Sequence, residues 1–353
     1  MLIYLILFLY ILFCFFLSSA YPRFNNLLII QISIILIMFA GFRGLGTDHD
    51  SYHYYDMFEH VRTFKDVYSG RGDAMSLFVP YALKQLDIYS ITLCLFAFAL
   101  LGIWPKIKAF SKFSPIPMLT ILIYFSYFFF KLDMTTIRAA ISVALMLLSI
   151  EDIESKDYIS FYTKIIIACL FHLSAVVYLF LIFLDTKRLN KFIYFLLLNG
   201  SFVIALMHID VAARVPLMGG MFSKIKYYSL LASSGIESAA SFLSVVNIFY
   251  LLIFNVFIYY SDYLYQRDKY AIIFIKLSVY AMACLFFFFS LSPIVAGRAQ
   301  DLFGIAMCIS LLYLLYLVKP RWFVIIFLIF YSAYYFVAIV YRNPLVVQYT
   351  TSF

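Results

Sequence analysis

Apolar residues run through this chain in blocks of roughly 15 to 20, the length that carries a helix across a hydrocarbon core of about 30 Å. The blocks are Leu2 to Leu17, Leu27 to Phe42, Ile88 to Trp104, Ile116 to Lys131, Ile137 to Ile150, Ile165 to Leu184, Phe192 to Met207, Phe242 to Tyr260, Ala271 to Leu291, Leu302 to Val318 and Trp322 to Tyr341. Stretches such as ILIYFSYFFFKL and MACLFFFFSL are apolar at consecutive positions. The strands of a membrane β-barrel would alternate instead. The pattern therefore predicts an all-α, polytopic integral membrane protein of about eleven spans. Residues 1–353 read as a single transmembrane domain. Two longer polar segments, 43–87 and 208–241, interrupt it as larger loops.

Composition sharpens this reading. The chain is 65% hydrophobic and 12% charged, against about 25% charged residues in soluble domains. The first block has no basic leader and no small-residue cleavage site, so it is expected to be a retained anchor. The five cysteines all fall inside apolar blocks, without the spacing of disulfides or metal sites.

The net charge of +8 reports topology first, because cytoplasmic connections collect Lys and Arg. Four short connections are basic: PKIKAFSK, DTKRLNK, YQRDK and KPR. Placing all four in the cytoplasm leaves one crossing too many between the first and the second. A polar break at His172 and Ser174 offers a repair, a re-entrant hairpin that survives at membrane depth only when buried in protein or lining a wet cavity. The alternative is one tilted helix with Lys187 and Arg188 on the other side. With the hairpin, both long loops share the non-cytoplasmic face with 131–138, 292–301 and the tail 341–353.

Polar chemistry is densest in FRGLGTDHDSYHYY. Glycines flank Arg43 and the Thr47-Asp48 pair, so the backbone can turn tightly before a helix that Thr47 or Asp48 would cap. The plainer reading is a capped interfacial helix anchored by Tyr52, Tyr54 and Tyr55. Asp48-His49-Asp50 has the DxD spelling of metal-dependent glycosyltransferases, but no third acidic ligand stands nearby, and no metal or other cofactor is expected. Arg138 follows Asp133 at the mouth of a span, and Arg298 stands in a Pro-Gly loop before Asp301. Each is either an anion ligand or an ordinary charge paired to its neighbouring Asp. Arg43, Arg138 and Arg298, with Arg214, Lys224 and Lys226, bring cations from distant parts of the chain to one face. That suits a pyrophosphate, since Arg binds phosphate oxygens bidentately and keeps its charge in low dielectric. Nothing points to nucleic acid.

At these residues the chain resembles the EpsG-like and Wzy-type polysaccharide polymerases of bacterial envelopes. The FR…GTD…Y segment (Arg43, Gly46, Thr47, Asp48, Tyr52), IRAAISVAL (Arg138) and FHLSA (His172, Ser174) carry the resemblance, with KIKYY (Lys224 to Tyr228), GRAQDLF and the closing NP…YTTSF as fainter echoes. It implies a glycosyltransferase-C-like fold in the inner membrane, with the active site facing the periplasm. It also implies a polymerase that joins oligosaccharide repeat units carried on undecaprenyl pyrophosphate into O-antigen or capsule chains, a chain-length regulator being a possible partner. Fixed Arg side chains would neutralise the leaving pyrophosphate. Asp48 is the first choice and His172 the second for deprotonating the acceptor hydroxyl. Tyr52 and Tyr227 would stack on sugar rings, and Arg43, Arg138, Arg214, Lys226 and Arg298 would hold pyrophosphate and glycan. An O-antigen ligase, and from another class a lipid-linked oligosaccharide flippase, are the alternatives.

Overall fold

Continuous apolarity leaves the backbone one way to satisfy its own hydrogen bonds in lipid, and the chain takes it. The computed structural model describes residues 1–69, 72–207, 242–342 and 344–352; these are helical or irregular, with no strand beyond two isolated bridges. Five helices among them are long and apolar enough to cross a membrane, or eight if three bent pairs count as one span each. About eleven were expected. The difference lies where the blocks are broken: Pro117–Ser126 meets Phe129–Thr135 at 67°, Val245–Tyr259 meets Ser261–Arg267 at 76°, and Pro293–Gly304 meets Met307–Leu317 at 60°. The apolar helices Tyr158–Phe171, Leu173–Phe183 and Lys191–Leu206 are shorter still.

Contacts divide the chain into two units, 1–184 with 314–353, and 185–313. In the first, α1 (Leu2–Ala20) and α2 (Asn25–Gly41) are followed by three loop helices, α3 (Ser51–Glu59), α4 (Phe64–Ser69) and α5 (Ala74–Gln85). Then come α6 (Ile91–Phe113), α7 (Pro117–Ser126), a π-helical turn at Phe129–Thr135, α8 (Ile137–Ser155) and α9 (Tyr158–Phe171). Local chemistry sets several boundaries. Ser90 caps α6 by accepting from Leu93 N at 3.0 Å, Asp157 caps α9 by accepting from Ser160 N at 3.1 Å, and Lys156 ends α8 in the left-handed region at φ 61°. In the second unit, α10 (Lys191–Leu206), Val245–Tyr259 and Ala271–Phe289 are joined by interhelical polar contacts. Asn199 and Asn255 exchange amide hydrogen bonds at 2.8 and 3.1 Å, and the Tyr194 and Tyr280 hydroxyls meet at 2.7 Å. Such pairs bind helices where lipid gives apolar faces no reason to associate.

Three sequence readings need correction. PKIKAFSK is no connection: α6 runs through Pro105 to Phe113, and Lys106 is fully buried on it. Its Nζ donates to Asp133 Oδ1 at 2.7 Å, while the Tyr124 hydroxyl donates to Oδ2. Asp133 is thus the partner of Lys106 rather than of Arg138. The break at Thr136 (φ −97°, ψ 60°) separates Asp133 on the π turn from Arg138 on α8 and turns the two side chains to different neighbours. The approach needs Gly102, since a Cβ there would lie 2.7 Å from Asp133 Oδ1. Likewise SPIVAGRAQD is helical within Pro293–Gly304, opened by Ser292 accepting from Ile294 N, not a loop.

Lys106→Met should leave a buried uncompensated carboxylate, a change that typically costs about 3–5 kcal/mol. A large drop in thermal stability in detergent is expected, with most of it recovered in the double variant Lys106→Met/Asp133→Leu. A single variant as stable as the native protein would show that Asp133 does not depend on Lys106.

Candidate active site

The 42–50 segment leaves α2 and turns at Gly46, whose φ of +83° is a glycine conformation and whose absent Cβ makes room for the Tyr52 ring. Arg43 folds inward beneath the turn. Its Nε donates to Asp48 Oδ2 at 2.8 Å, its Nη2 to Met134 O at 2.7 Å and its Nη1 to Ala40 O. Both side chains of the Arg43–Asp48 pair are fully enclosed. Asp48 Oδ1 accepts from Asp50 N at 3.0 Å. Neither Thr47 nor Asp48 caps α3, which follows Asp50 without a side-chain cap.

The tail closes over this turn. Gly44 N donates to Thr350 O at 2.7 Å, Val347 N to Thr47 O at 2.9 Å and Ser352 N to Phe42 O at 3.1 Å, so 346–352 lies antiparallel to 42–48. Tyr349 stacks on Phe39 with ring centroids 4.2 Å apart. A Cβ on Gly44 would run into Thr350. The first two sites singled out by sequence, Arg43 and Asp48, thereby form a sealed ion pair, whereas Tyr52 is 63% exposed.

A second cluster forms around Asp73, a residue the sequence reading passed over. Asp73 precedes α5 with an extended backbone (φ −74°, ψ 142°), and its carboxylate faces three residues from two remote pieces of chain. Arg138 Nη1 donates to its Oδ2 at 2.9 Å. Leu173 N donates to its Oδ1 at 3.2 Å. His172 Nδ1 stands 3.8 Å from Oδ2, an ion-pair distance rather than a direct hydrogen bond. The side chains of Arg138, Asp73 and His172 are 23%, 18% and 30% exposed, so the cluster is sheltered yet open to a ligand. Arg138 Nε is buried and meets no acceptor among the described residues. Its guanidinium lies 5.9 Å from the Tyr54 ring centroid.

His172 stands at a break in the chain: α9 ends at Phe171, His172 is extended (φ −156°, ψ 109°), and a 3-10 helix, Leu173–Phe183, follows. The two arms reach roughly 21 and 22 Å at their respective rises per residue. Each falls short of a bilayer core. The break falls at His172, the polar position that both the hairpin and the tilted-helix readings had to accommodate, and Asp73 satisfies the freed Leu173 N–H.

Burial by itself would raise the Asp73 carboxyl. The facing His172 imidazole, the Arg138 charge and the Leu173 N–H outweigh it and hold the group below the usual carboxylate range. Burial also pushes the Tyr54 hydroxyl up to about 12, despite Arg138 beside it, so it stays a neutral phenol.

Of the other expected site residues, Arg298 is exposed on Pro293–Gly304 in the second unit, while Arg214, Lys226 and Tyr227 lie outside the described residues. No three His, Cys, Asp or Glu among the described residues are grouped so as to hold a metal ion. One cue for Asp73 did stand in the sequence, an acidic residue beside Gly72 at a helix start in the long loop.

With this geometry in hand, comparison with known families is decisive: the model of the EpsG family matches residues 26–351, nearly the whole chain. The chain belongs to the EpsG family. No curated protein and no solved structure matches it. Membership of the EpsG family points to a polysaccharide polymerase-type function in a membrane protein.

Because Asp73 is depressed when folded, its contribution to stability is complete above the ordinary carboxylate value of about 3.9 and is lost as pH falls through the lower folded value. Melting temperatures of the native protein and Asp73→Asn should differ throughout the neutral range, the gap closing only below that value. A gap that closes near neutrality would place the titration elsewhere.

Proposed function

We propose that this EpsG-family protein joins oligosaccharide repeat units carried on undecaprenyl pyrophosphate into O-antigen or capsule chains, with Arg138, His172 and Asp73 as the reaction centre. The observation that carries the proposal is the convergence, at one partly open spot, of an imidazole, a carboxylate and a guanidinium whose buried Nε meets no acceptor among the described residues. In the reaction, the acceptor hydroxyl attacks the anomeric carbon of the donor glycan. The bond from that carbon to the pyrophosphate oxygen breaks, and lipid pyrophosphate leaves with the electron pair. The acceptor's proton passes to His172, through the ring nitrogen turned away from Asp73. Asp73 stabilises the imidazolium that forms, and Arg138 neutralises the charge that grows on the leaving phosphate.

The base role thus moves from Asp48 to His172. Asp48 has both oxygens engaged inside a sealed pair, while His172 has an exposed edge. Arg43 and Asp48 act as the frame of the loop. Tyr52, exposed beside that turn, is proposed to stack on a sugar ring. Arg214, Lys226, Tyr227 and Arg298 remain proposed donor contacts on sequence grounds alone, as does the eleven-span, glycosyltransferase-C-like topology with its working face in the periplasm of the inner membrane. A chain-length regulator is the proposed protein partner.

Loss of the protein should leave its final acceptor bearing at most one repeat unit, read as the bottom rung of a gel ladder. Disappearance of that single-unit band as well would favour a ligase or flippase. With purified protein and synthetic lipid-linked units, Arg138→Lys, His172→Gln and Asp73→Asn should each cut turnover by about 10²-fold or more. Asp48→Asn should lower folded yield more than turnover per folded molecule. The reaction should persist in chelator. Native turnover in all three cluster variants would sink the assignment.

A further inference from the structure

A cavity of about 470 Å³ opens between α3 and α4, within the size range of small-molecule sites. His53 and Asp56 on α3 and His60 just past its end follow one another at helical spacing and form one wall. Asp66 faces them from the start of α4, its Oδ2 held by the backbone N–H groups of Arg62 and Thr63 at 3.0 and 2.7 Å. The floor is apolar, with Met57 and Leu77.

This lining selects by chemistry. Two carboxylates and two imidazoles offer hydrogen-bond acceptors at several heights, which suits a ligand rich in hydroxyl donors. None of the described lining residues is Lys or Arg. A phosphate or uronate would meet two carboxylates with no Lys or Arg among the described lining residues, whereas the C–H face of a neutral pyranose would rest on the Met57 and Leu77 floor. The floor also ties the cavity to the reaction centre. Met57 and Leu77 belong to the same buried cluster as Tyr54, Ile137 and Phe171, the neighbours in space or sequence of Arg138 and His172. Leu77 N donates to Asp73 O at 3.2 Å, one turn away.

We propose that this cavity is a subsite for an uncharged sugar ring of the glycan, at a position removed from the lipid pyrophosphate. The inference rests on the polymerase reading above and adds the class of ring that the loop accepts. The hexose hydroxyls donate to Asp56 and Asp66, the imidazoles of His53 and His60 complete the ring's polar contacts, and the pyrophosphate end lies toward Arg138.

The test is saturation-transfer NMR on the full-length protein in detergent, with methyl β-glucoside and methyl β-N-acetylglucosaminide as neutral probes and methyl β-glucuronide as the charged one. Neutral probes should give signal in the native protein and lose it in His53→Trp, which fills the cavity from an exposed position, and the glucuronide should bind weakly. Asp56→Lys, on the open rim, should reverse the preference towards the glucuronide and serves equally if His53→Trp fails to fold. Unchanged neutral binding in both variants, or native binding of glucuronide as strong as glucoside, overturns the subsite. Polymerisation assays on the same samples separate the two ideas. Native-length chains from a variant that no longer binds glycoside sink the subsite and spare the polymerase reading. Glycoside binding by native protein that makes no polymer from lipid-linked units spares the sugar site and sinks that reading.

Discussion

A charge inside an apolar bundle must meet its opposite there, and the first unit is organised around that constraint. Arg43 and Asp48 are sealed together, as are Lys106 and Asp133. The pairs are coupled through backbone: Arg43 also donates to Met134 O, the residue after Asp133. The π turn at Phe129–Thr135 therefore carries one pair's carboxylate and an acceptor for the other pair's cation. Ion pairs of this kind add little net stability over well-packed apolar residues, yet breaking one is expensive. Their effect is to fix register, since α2, the following turn, α6 and the π segment must all take their observed places for four charges to be neutral together.

The Asp73 cluster obeys a different economy. Its three side chains keep between 18% and 30% exposure, and Arg138 holds one buried donor with no acceptor among the described residues. A structural pair would have closed that gap, as Arg43 closes it with three separate acceptors. An unsatisfied cation donor next to an ordered carboxylate and a half-exposed imidazole is instead a place that gains by receiving an anionic or hydroxyl-bearing ligand. The contrast between a sealed pair and an open cluster separates frame from site more clearly than the position of either in the sequence.

Much of the fold was legible because its signal is local. The apolar runs at Leu2–Ala20, Ile91–Phe113 and Ala271–Phe289 announce their helices by composition alone, and the break at His172 was marked by two polar residues in an apolar run. What was missed depends on distant partners. Lys106 lies among three lysines in PKIKAFSK and reads as part of a basic connection, although helices in membranes tolerate a proline such as Pro105. Only the presence of Asp133, 27 residues on, makes its burial affordable. Asp73 looks like an ordinary helix-start residue, which it also is; its other partners lie 65 and 100 residues away. Arg138 and His172 stood out because charge is rare in such surroundings, and rarity is visible in one dimension where pairing is not.

The tail shows how these levels join. By itself a segment such as VVQYTTS has no reason to be ordered, but 42–48 exposes backbone donors and acceptors along one edge, and the antiparallel contacts at Gly44, Thr47 and Phe42 consume them. Tyr4 from α1 donates to Val347 O and Tyr349 donates to Phe39 O in α2, so the first two helices hold the strap that covers the sealed pair. The turn around Gly46 is thereby fixed from both sides, by Arg43 beneath and the tail above. Continuing from that turn, α3 carries Tyr54 under the Arg138 guanidinium and His53 into the neighbouring cavity wall. A loop that presents a ring to a cation on one face and polar groups to a cavity on the other gains from an immobile starting point. The C-terminal residues therefore bear on the site through the loop they clamp rather than through any contact with a ligand.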